Sequence, residues 1–442
     1  MDSLVIIGNG ITGMTTARLV RKQSDRPIIV ISDETDFFYS RPALMYIFMG
    51  HMKFEHTKPY EDWFWEKNKI QLLRATVTSI DTNAKSIALN NGQTLPYGQL
   101  VIATGSRTNK FGWPGQDLTG VQGLYGMRDL ELMEKNTSNV SRAVIVGGGL
   151  IGIEMAEMLH SRNIPVTFLV RETNYWDNIL PQEEAKLVGR HIREYGIDLR
   201  LGTQLKEILP GNDGRVRAVL TDKGEEIACQ FVGLTAGVTP NTDVAKSSAI
   251  EINRGILVNE FLETNVPGVY AAGDCAEFRM NRPRHPKIEQ LWYTGRMQAE
   301  TLAKTLCGIR TPYDRGVWFN SAKFFDIEYQ TYGFVSNLPM PDEESLYWEH
   351  PEGKHCVRIV YDKTNRTVIG FNLFGIRYRQ AICERWIRDR RTVEYVLENL
   401  AEANFDPEFF REFEHEVIAL FNSTNPARKV LLKRRRGLFQ MA

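Results

Sequence analysis

Val5-Ile6-Ile7-Gly8-Asn9-Gly10-Ile11-Thr12-Gly13 and, later, Val144-Ile145-Val146-Gly147-Gly148-Gly149-Leu150-Ile151-Gly152 decide how this chain is read. In each stretch an apolar, β-branched run meets three glycines spaced G-x-G-x-x-G and then opens a helix-like segment. In that context the glycines let the backbone approach a dinucleotide pyrophosphate, and the helix N-terminus offsets its charge. One match alone is weak, because glycine-rich strand-to-helix turns also serve packing. Two matches in one chain predict two dinucleotides, with electrons passing from one to the other.

Working outward from the first turn, Leu4–Ile7 reads as a buried parallel strand. Ile11 to about Lys22 reads as the helix that follows, and Pro27–Ile31 as the second strand of a βαβ unit. The residue closing that second strand commonly offers a carboxylate to a ribose hydroxyl. Here the place reads Ser32-Asp33-Glu34, the acid displaced by one residue. Asp33 is the candidate, with a solvated loop acid as the alternative.

The second unit repeats the grammar, with strand Ala143–Val146, helix Leu150–Leu159 and strand Val166–Val170. Aligned on its glycines, the acid position carries Val170, followed by Arg171 and Glu172. Valine cannot accept from a 2′-hydroxyl, whereas Arg171 can hold a 2′-phosphate by a charge-assisted fork. That tilts the nicotinamide from NADH toward NADPH, with Glu172 to a ribose as the competing reading.

Leu100-Val101-Ile102-Ala103-Thr104-Gly105 is a strand ending in a small-residue turn. Gly268-Val269-Tyr270-Ala271-Ala272-Gly273-Asp274 is another, ending on a carboxylate. Ligands of open parallel sheets sit outside the C-terminal strand edges, so Asp274 is expected to face the cleft. From about Thr311 the texture changes. Trp318 to Val335 and Cys356 to Phe374 read as antiparallel strands with a turn at Asp362–Asn365. Helix is expected through Arg377–Leu400 and Pro407–Phe421, before a basic end, Arg428 to Arg436. For that end a solvated tail leads, ahead of docking to an acidic carrier or peripheral contact with anionic lipid.

The 442 residues are 43% hydrophobic and 24% charged, and the 54 Lys+Arg balance the 54 Asp+Glu. No global field attracts nucleic acid. No apolar run reaches the roughly 20 residues needed to span a bilayer. The first strand lies within a few residues of Met1, which leaves no room for a signal peptide. The five cysteines form no C-x-x-C or C-x4-C pair, so a reduced, cytoplasmic setting is expected and each cysteine reads as a small buried hydrophobe. No metal-ligand spacing stands out.

The ordered set of both glycine turns, Ala103-Thr104-Gly105, Glu154, Gly237-Val238-Thr239-Pro240-Asn241 and Ala272-Gly273-Asp274 resembles the two-dinucleotide flavoprotein reductases related to glutathione reductase. The resemblance covers residue 1 to about 312. It implies an α/β chain of two Rossmann-like three-layer domains and a C-terminal α+β interface domain. The FAD-binding domain would take 1–112 and 240–312, the NAD(P)H-binding domain 113–239, and the interface domain with its basic end 313–442. By resemblance Gly8, Gly10, Ile11, Thr12 and Gly13 meet the FAD pyrophosphate, and Ala103, Thr104, Gly105, Gly237, Gly273 and Asp274 complete that site. Gly147, Gly149, Leu150, Ile151, Gly152 and Arg171 would hold the nicotinamide dinucleotide.

Tyr39-Ser40-Arg41-Pro42-Ala43-Leu44 resembles the Y-x-R-P-x-L loop beside the flavin in ferredoxin and rubredoxin reductases and in the flavin half of NADH-dependent nitrite reductases. Pro42 stands where related NADH oxidases and coenzyme A disulfide reductases carry a redox cysteine. Without a thiol beside the flavin, disulfide reduction is not expected. Glu289-Gln290-Leu291-Trp292 resembles the E-x-W helix start of oxygenase-coupled ferredoxin reductases, with one extra residue, and a core tryptophan is the alternative for Trp292. Tyr46 replaces the lysine that those relatives set against the glutamate of the second turn. That leaves Glu154 without its usual partner and its carboxyl poised to titrate high if buried.

The expected activity is hydride transfer from NAD(P)H to FAD, with Arg41, Pro42, Thr104 and Glu154 shaping the contact and electrons leaving for an external acceptor. A small iron–sulfur or other redox carrier protein is the first choice, and a quinone or other small molecule the second. A flavin-binding redox-sensing scaffold with little turnover is the alternative of another class. Oligomeric state, a homodimer included, stays open.

Overall fold

The computed structural model describes residues 3–280, 286–405 and 411–433. They gather into two compact units, one drawn from 3–147, 158–165, 205–280 and 286–315, the other from 148–157, 166–204, 316–405 and 411–433.

In the first unit a five-stranded parallel sheet runs in the order Val269–Ala271, Gln99–Ile102, Leu4–Ile7, Ile28–Ser32, Ile70–Arg74. All four residues of Leu4–Ile7 are buried, as a strand covered on both faces requires. The second strand starts at Ile28, since Pro27 has no N–H for the ladder and serves instead as acceptor for the Leu4 N–H. Helix Ile11–Arg21 follows the first turn and packs along helix Trp292–Leu306. Gly295 permits the approach: a Cβ there would lie 2.7 Å from Thr12 Oγ1. Also in this unit, Phe231–Leu234 lies parallel to both Ala143–Val146 and Val121–Gln122.

In the second unit Val166–Val170 pairs in parallel with Asp198–Leu201. The helix that opens after the second glycine turn runs Leu150–Ser161, slightly beyond the expected end. A five-stranded antiparallel sheet follows, ordered Phe319–Phe324, Ile327–Gly333, Val368–Phe374, Cys356–Asp362, Glu343–Glu349. Its edge strand Glu343–Glu349 is not anticipated by the sequence reading. The expected turn is present, with Asp362 Oδ1 accepting from the N–H groups of Thr364 and Asn365. Against the sheet, Phe371 and Leu373 share a core with Trp386, Val396, Val417 and Phe421.

Three expectations for this region change. The single helix over 377–400 is two, Gln380–Arg388 and Val393–Glu398. Between them Arg390 takes a positive φ of 52°, Arg391 O accepts from the Val368 N–H, and Thr392 Oγ1 caps the second helix through the Tyr395 N–H. Sheet and cap claim the backbone groups that a continuous helix would need. The last helix is Glu414–Thr424, and 407–410 of the expected Pro407–Phe421 lie outside the described residues. In the described part of the basic end the backbone is tied down, although the side chains of Arg428, Lys429 and Lys433 stay exposed as a solvated tail would have them. Asn422 brackets Val430 with two hydrogen bonds of 2.8 and 2.9 Å, and Lys433 pairs with Glu398 at 2.7 Å. Residues 434–436 lie outside the described residues. Among those described, no helix is long and apolar enough to cross a membrane.

Candidate functional site

The three glycines of the first turn do three different things. Gly8 has φ +112°, and a Cβ on it would lie 2.2 Å from the Ala103 carbonyl oxygen. Gly13 is equally closed, with Gly8 O 2.0 Å from its would-be Cβ. Gly10 faces open space, with nothing within 4 Å. The first and third glycines therefore serve the tight turn and the helix–strand contact. The second leaves a gap at the N-terminus of helix Ile11–Arg21, which no side chain caps. Unpaired N–H groups and the positive end of the helix dipole collect there, behind Ile11 and Thr12.

The other expected residues of this unit end on the same sheet or on loops tied to it. Ala103, Thr104 and Gly105 follow strand Gln99–Ile102. Thr104 Oγ1 donates to Asn241 O at 2.5 Å, and Val238–Pro240 pairs antiparallel with Ser106–Thr108, which draws Gly237 alongside. Gly273 follows strand Val269–Ala271 and donates its N–H to Gln298 Oε1 at 2.7 Å.

Asp274 is half-buried. Burial pushes its carboxyl above the usual range, against the opposing pull of hydrogen bonds from Tyr125 and Ser106 and of the charge on Arg41. The Tyr125 hydroxyl donates to Asp274 at 3.2 Å and accepts from the Ser106 N–H at 2.8 Å. No motif singled out Tyr125.

Arg41 reaches into the same cluster. Its two terminal nitrogens meet the two carboxylate oxygens of Glu34 at 3.0 and 2.7 Å, and one of them also donates to Tyr125 O at 2.8 Å. The guanidinium lies 4.7 Å from the Tyr125 ring centroid and 5.3 Å from that of Tyr39. Tyr39 Oη and the Met127 N–H complete the cradle of Glu34 at 2.5 and 2.8 Å. Burial alone would raise Glu34, but Arg41, Tyr39 and Met127 together hold it below the ordinary carboxylate range. Asp33, the residue singled out, lies next door and partly exposed, paired with Arg128 at 3.4 Å. Pro42 sits exposed in the short 3-10 turn Arg41–Ala43.

Trp292 opens helix Trp292–Leu306, and its Nε1 is buried with no hydrogen-bond partner among the described residues. Just ahead of it, Glu289 is buried and structurally engaged, accepting from Tyr313 Oη at 2.8 Å and pairing with Arg315 at 3.3 Å.

Of the second turn, Gly147 belongs to the first unit. It repeats the +112° φ of Gly8, and a Cβ there would lie 2.7 Å from the Ala236 backbone. Gly149, Leu150, Ile151, Gly152, Glu154 and Arg171 belong to the second unit. Gly149 O accepts from Tyr175 Oη at 2.7 Å and from the Gly152 N–H at 3.1 Å. The carboxyl of Glu154 is pushed up to about 7, first by burial and then by the neighbouring charge of Glu157. Lys323 pairs with Glu157 at 2.7 Å and leaves Glu154 without an ion pair among the described residues. Arg171 is exposed and grips Glu172 Oε1 at 2.9 and 3.1 Å, so the two rivals for the ribose end hold one another. The five cysteines are free. Cys275 is buried, its Sγ on Ile102 O and Ala272 O at 3.3 and 3.4 Å.

The first-unit site fits an adenine dinucleotide carrying an aromatic head. It offers an uncapped helix N-terminus, a gap at Gly10 and a strand-end carboxylate at Asp274.

Three comparisons bear on the chain. Residues 2–299 match the family described as "Pyridine nucleotide-disulphide oxidoreductase". The chain is 30% identical over 330 residues to the nitrite reductase [NAD(P)H] of Bacillus subtilis, covering 74% of this chain and 40% of that one, so it spans about two fifths of that relative's length. It is 29% identical over 313 residues to the ferredoxin–NAD(+) reductase subunit of the benzene 1,2-dioxygenase system of Pseudomonas putida, covering 70% and 75%. The solved ferredoxin reductase for the CYP199A2 system of Rhodopseudomonas palustris superposes with a TM-score of 0.78 at 24% identity, covering 85% of this chain and 91% of that one.

Proposed function

The chain belongs to the pyridine nucleotide-disulphide oxidoreductase family, and from that premise we propose that it is a FAD-dependent NAD(P)H oxidoreductase passing electrons to a small iron–sulfur or other redox carrier protein. The observation that carries the reading is the gathering of Gly8–Gly13, Ala103–Gly105 and Gly273–Asp274 at the ends of neighbouring strands of one parallel sheet. Segments 1–112 and 240–312 are then the flavin-binding part, 113–239 the nicotinamide-binding part and 313–442 the interface domain.

FAD supplies a ring that accepts hydride from the nicotinamide and releases electrons singly or in pairs. The chain's own residues bind and orient. The backbone at Gly10, with the N-terminus of helix Ile11–Arg21, neutralises the pyrophosphate. Asp274, steadied by Tyr125, accepts from the sugar-like chain. Arg41 is held rigid by Glu34 and, with Pro42, walls the site. The second turn presents Gly149 and Gly152 to the nicotinamide dinucleotide, and Arg171 turns from Glu172 to a 2′-phosphate. Pro42 in the place of a thiol supports an electron route other than a protein disulfide, and the five free cysteines support a reducing, cytoplasmic setting.

The test is an anaerobic titration of the purified protein with NADH and with NADPH, followed by candidate iron–sulfur carriers. One FAD per chain, bleached by either nicotinamide and re-oxidised by a carrier, is expected. A protein that takes up no flavin on reconstitution overturns the reading. Flavin reduction without turnover on any carrier, quinone or dye selects the sensing scaffold instead.

A further inference from the structure

The sequence reading assigns no metal site, yet the turn joining Glu343–Glu349 to Cys356–Asp362 brings three ligand types together. Its sequence is His350-Pro351-Glu352-Gly353-Lys354-His355. Glu349 and Cys356 are the last strand pair, and the His350 N–H donates to His355 O at 2.9 Å one step further. Residues directly opposite in an antiparallel pair share a sheet face, so both imidazoles stand on one side. The turn then folds Glu352 back over them. One nitrogen of each ring and a Glu352 oxygen lie within 4.8 Å of one another.

Two further observations single this cluster out. His355 Nδ1 is shut off from solvent with no hydrogen-bond partner among the described residues, and such a group calls for a ligand that the protein does not supply. Both rings are also braced, with Phe413 5.4 Å from His350 and 4.9 Å from His355 between ring centroids, and Trp348 5.9 Å from His350. Glu352 is exposed on the turn. Bonds of about 2.0–2.2 Å to a tetrahedral ion set ligand atoms roughly 3.3–3.6 Å apart, and His350 Nδ1 and Glu352 Oε2 already stand 3.6 Å apart. The competing cation is Arg411, 3.7 Å from Glu352 Oε1.

We propose that His350, Glu352 and His355 bind a borderline divalent cation of the Zn2+ class, with a fourth position left to water. Two imidazoles and one carboxylate are the donor set that such ions favour over Mg2+ or Ca2+. The site is independent of the flavin reading.

The experiment uses the full-length protein as purified, freed of any affinity tag and stripped with a chelator. It is titrated with Zn2+ against a chromophoric chelator, and with Co2+ for its ligand-field absorption. One Zn2+ per chain is expected, together with a Co2+ spectrum of low-coordinate type. H355A and E352Q should each weaken binding at least by the roughly 10–100-fold that losing an outer-shell partner costs. Arg411→Gln should tighten it, because the competing charge is gone. E352Q alters only an exposed turn and keeps the test open if H355A misfolds. No stoichiometric uptake, or uptake unchanged in E352Q and H355A, overturns the proposal.

Discussion

Arg41 closes on Glu34 with both terminal nitrogens, at 3.0 and 2.7 Å, and the same guanidinium lies over the Tyr125 ring. A fork of that geometry is specific to arginine, since lysine offers a point charge on a flexible stem. Replacing Arg41 with Ala leaves the Glu34 carboxylate among Tyr39 and Met127 without its counter-charge. We expect a loss of about 2 kcal/mol, and little rescue by Lys. Thermal melts of the two variants check this, and an R41K protein as stable as wild type would contradict the bidentate assignment.

The same pair fixes a pH dependence. Glu34 titrates below its ordinary 4.5 in the folded protein. Its contribution is therefore complete above pH 4.5 and disappears as pH falls through the lowered folded value. Glu34→Gln should flatten the acid limb of the stability curve in that window and lower stability at neutral pH. Melting temperatures from pH 3 to 7 decide it.

Glu154 carries the opposite sign. Its folded value of about 7 lies above the ordinary 4.5, so the folded state holds the proton more tightly and stability drops as pH rises between those two values. Glu154→Gln cannot ionise. It should melt close to wild type at pH 5 and above it at pH 8. An equal offset at both pH values would mean that Glu154 is ionised throughout.

Gly8 and Gly10 should separate folding from flavin binding. Gly8→Ala puts a methyl 2.2 Å from the Ala103 carbonyl at a φ that alanine avoids, so soluble yield and melting temperature fall. Gly10→Ala meets no protein atom and should fold normally while losing flavin, because the methyl fills the space the pyrophosphate needs. The ratio of flavin to protein absorbance, set beside far-UV circular dichroism, reads both effects. A G10A protein with full flavin content would refute the role given to that gap.

Away from the site, Arg358 and Glu184 form a buried ion pair at 2.6 Å with side-chain exposures of 7% and 0%. Removing Arg358 alone strands a buried carboxylate, and Arg358→Ala should cost about 3–5 kcal/mol. Replacing both partners with methionine should recover most of that. Denaturant unfolding of the single and double variants measures the difference.

Local grammar was readable without coordinates. The strand–glycine–helix turns at 5–13 and 144–152 were legible as local spacing, whereas the close approaches that forbid a Cβ on Gly8 and Gly147 come from Ala103 and Ala236, about 90 residues on. The strand end at Asp274 was legible for the same reason. Which of two adjacent acids the fold buries was not. Glu34 rather than Asp33 is enclosed because Arg41, seven residues on, and the Met127 N–H, 93 residues on, converge on it. Tyr125 meets Asp274 across 149 positions, and no spacing rule spans that distance. The helix expected over 377–400 breaks because strand Val368–Phe374 takes the Arg391 carbonyl, a partner invisible to periodicity.

By itself, then, the order of residues determined that this protein has two dinucleotide-type turns and an α/β first part followed by an antiparallel sheet, since those rest on contacts between near neighbours. Only the tertiary structure decided which side chains stand together around the first turn, that Glu154 has no ion pair among the described residues, and that His350, Glu352 and His355 converge. Burial and charge pairing are set by segments far apart in the chain, and they exist only once the sheets have closed.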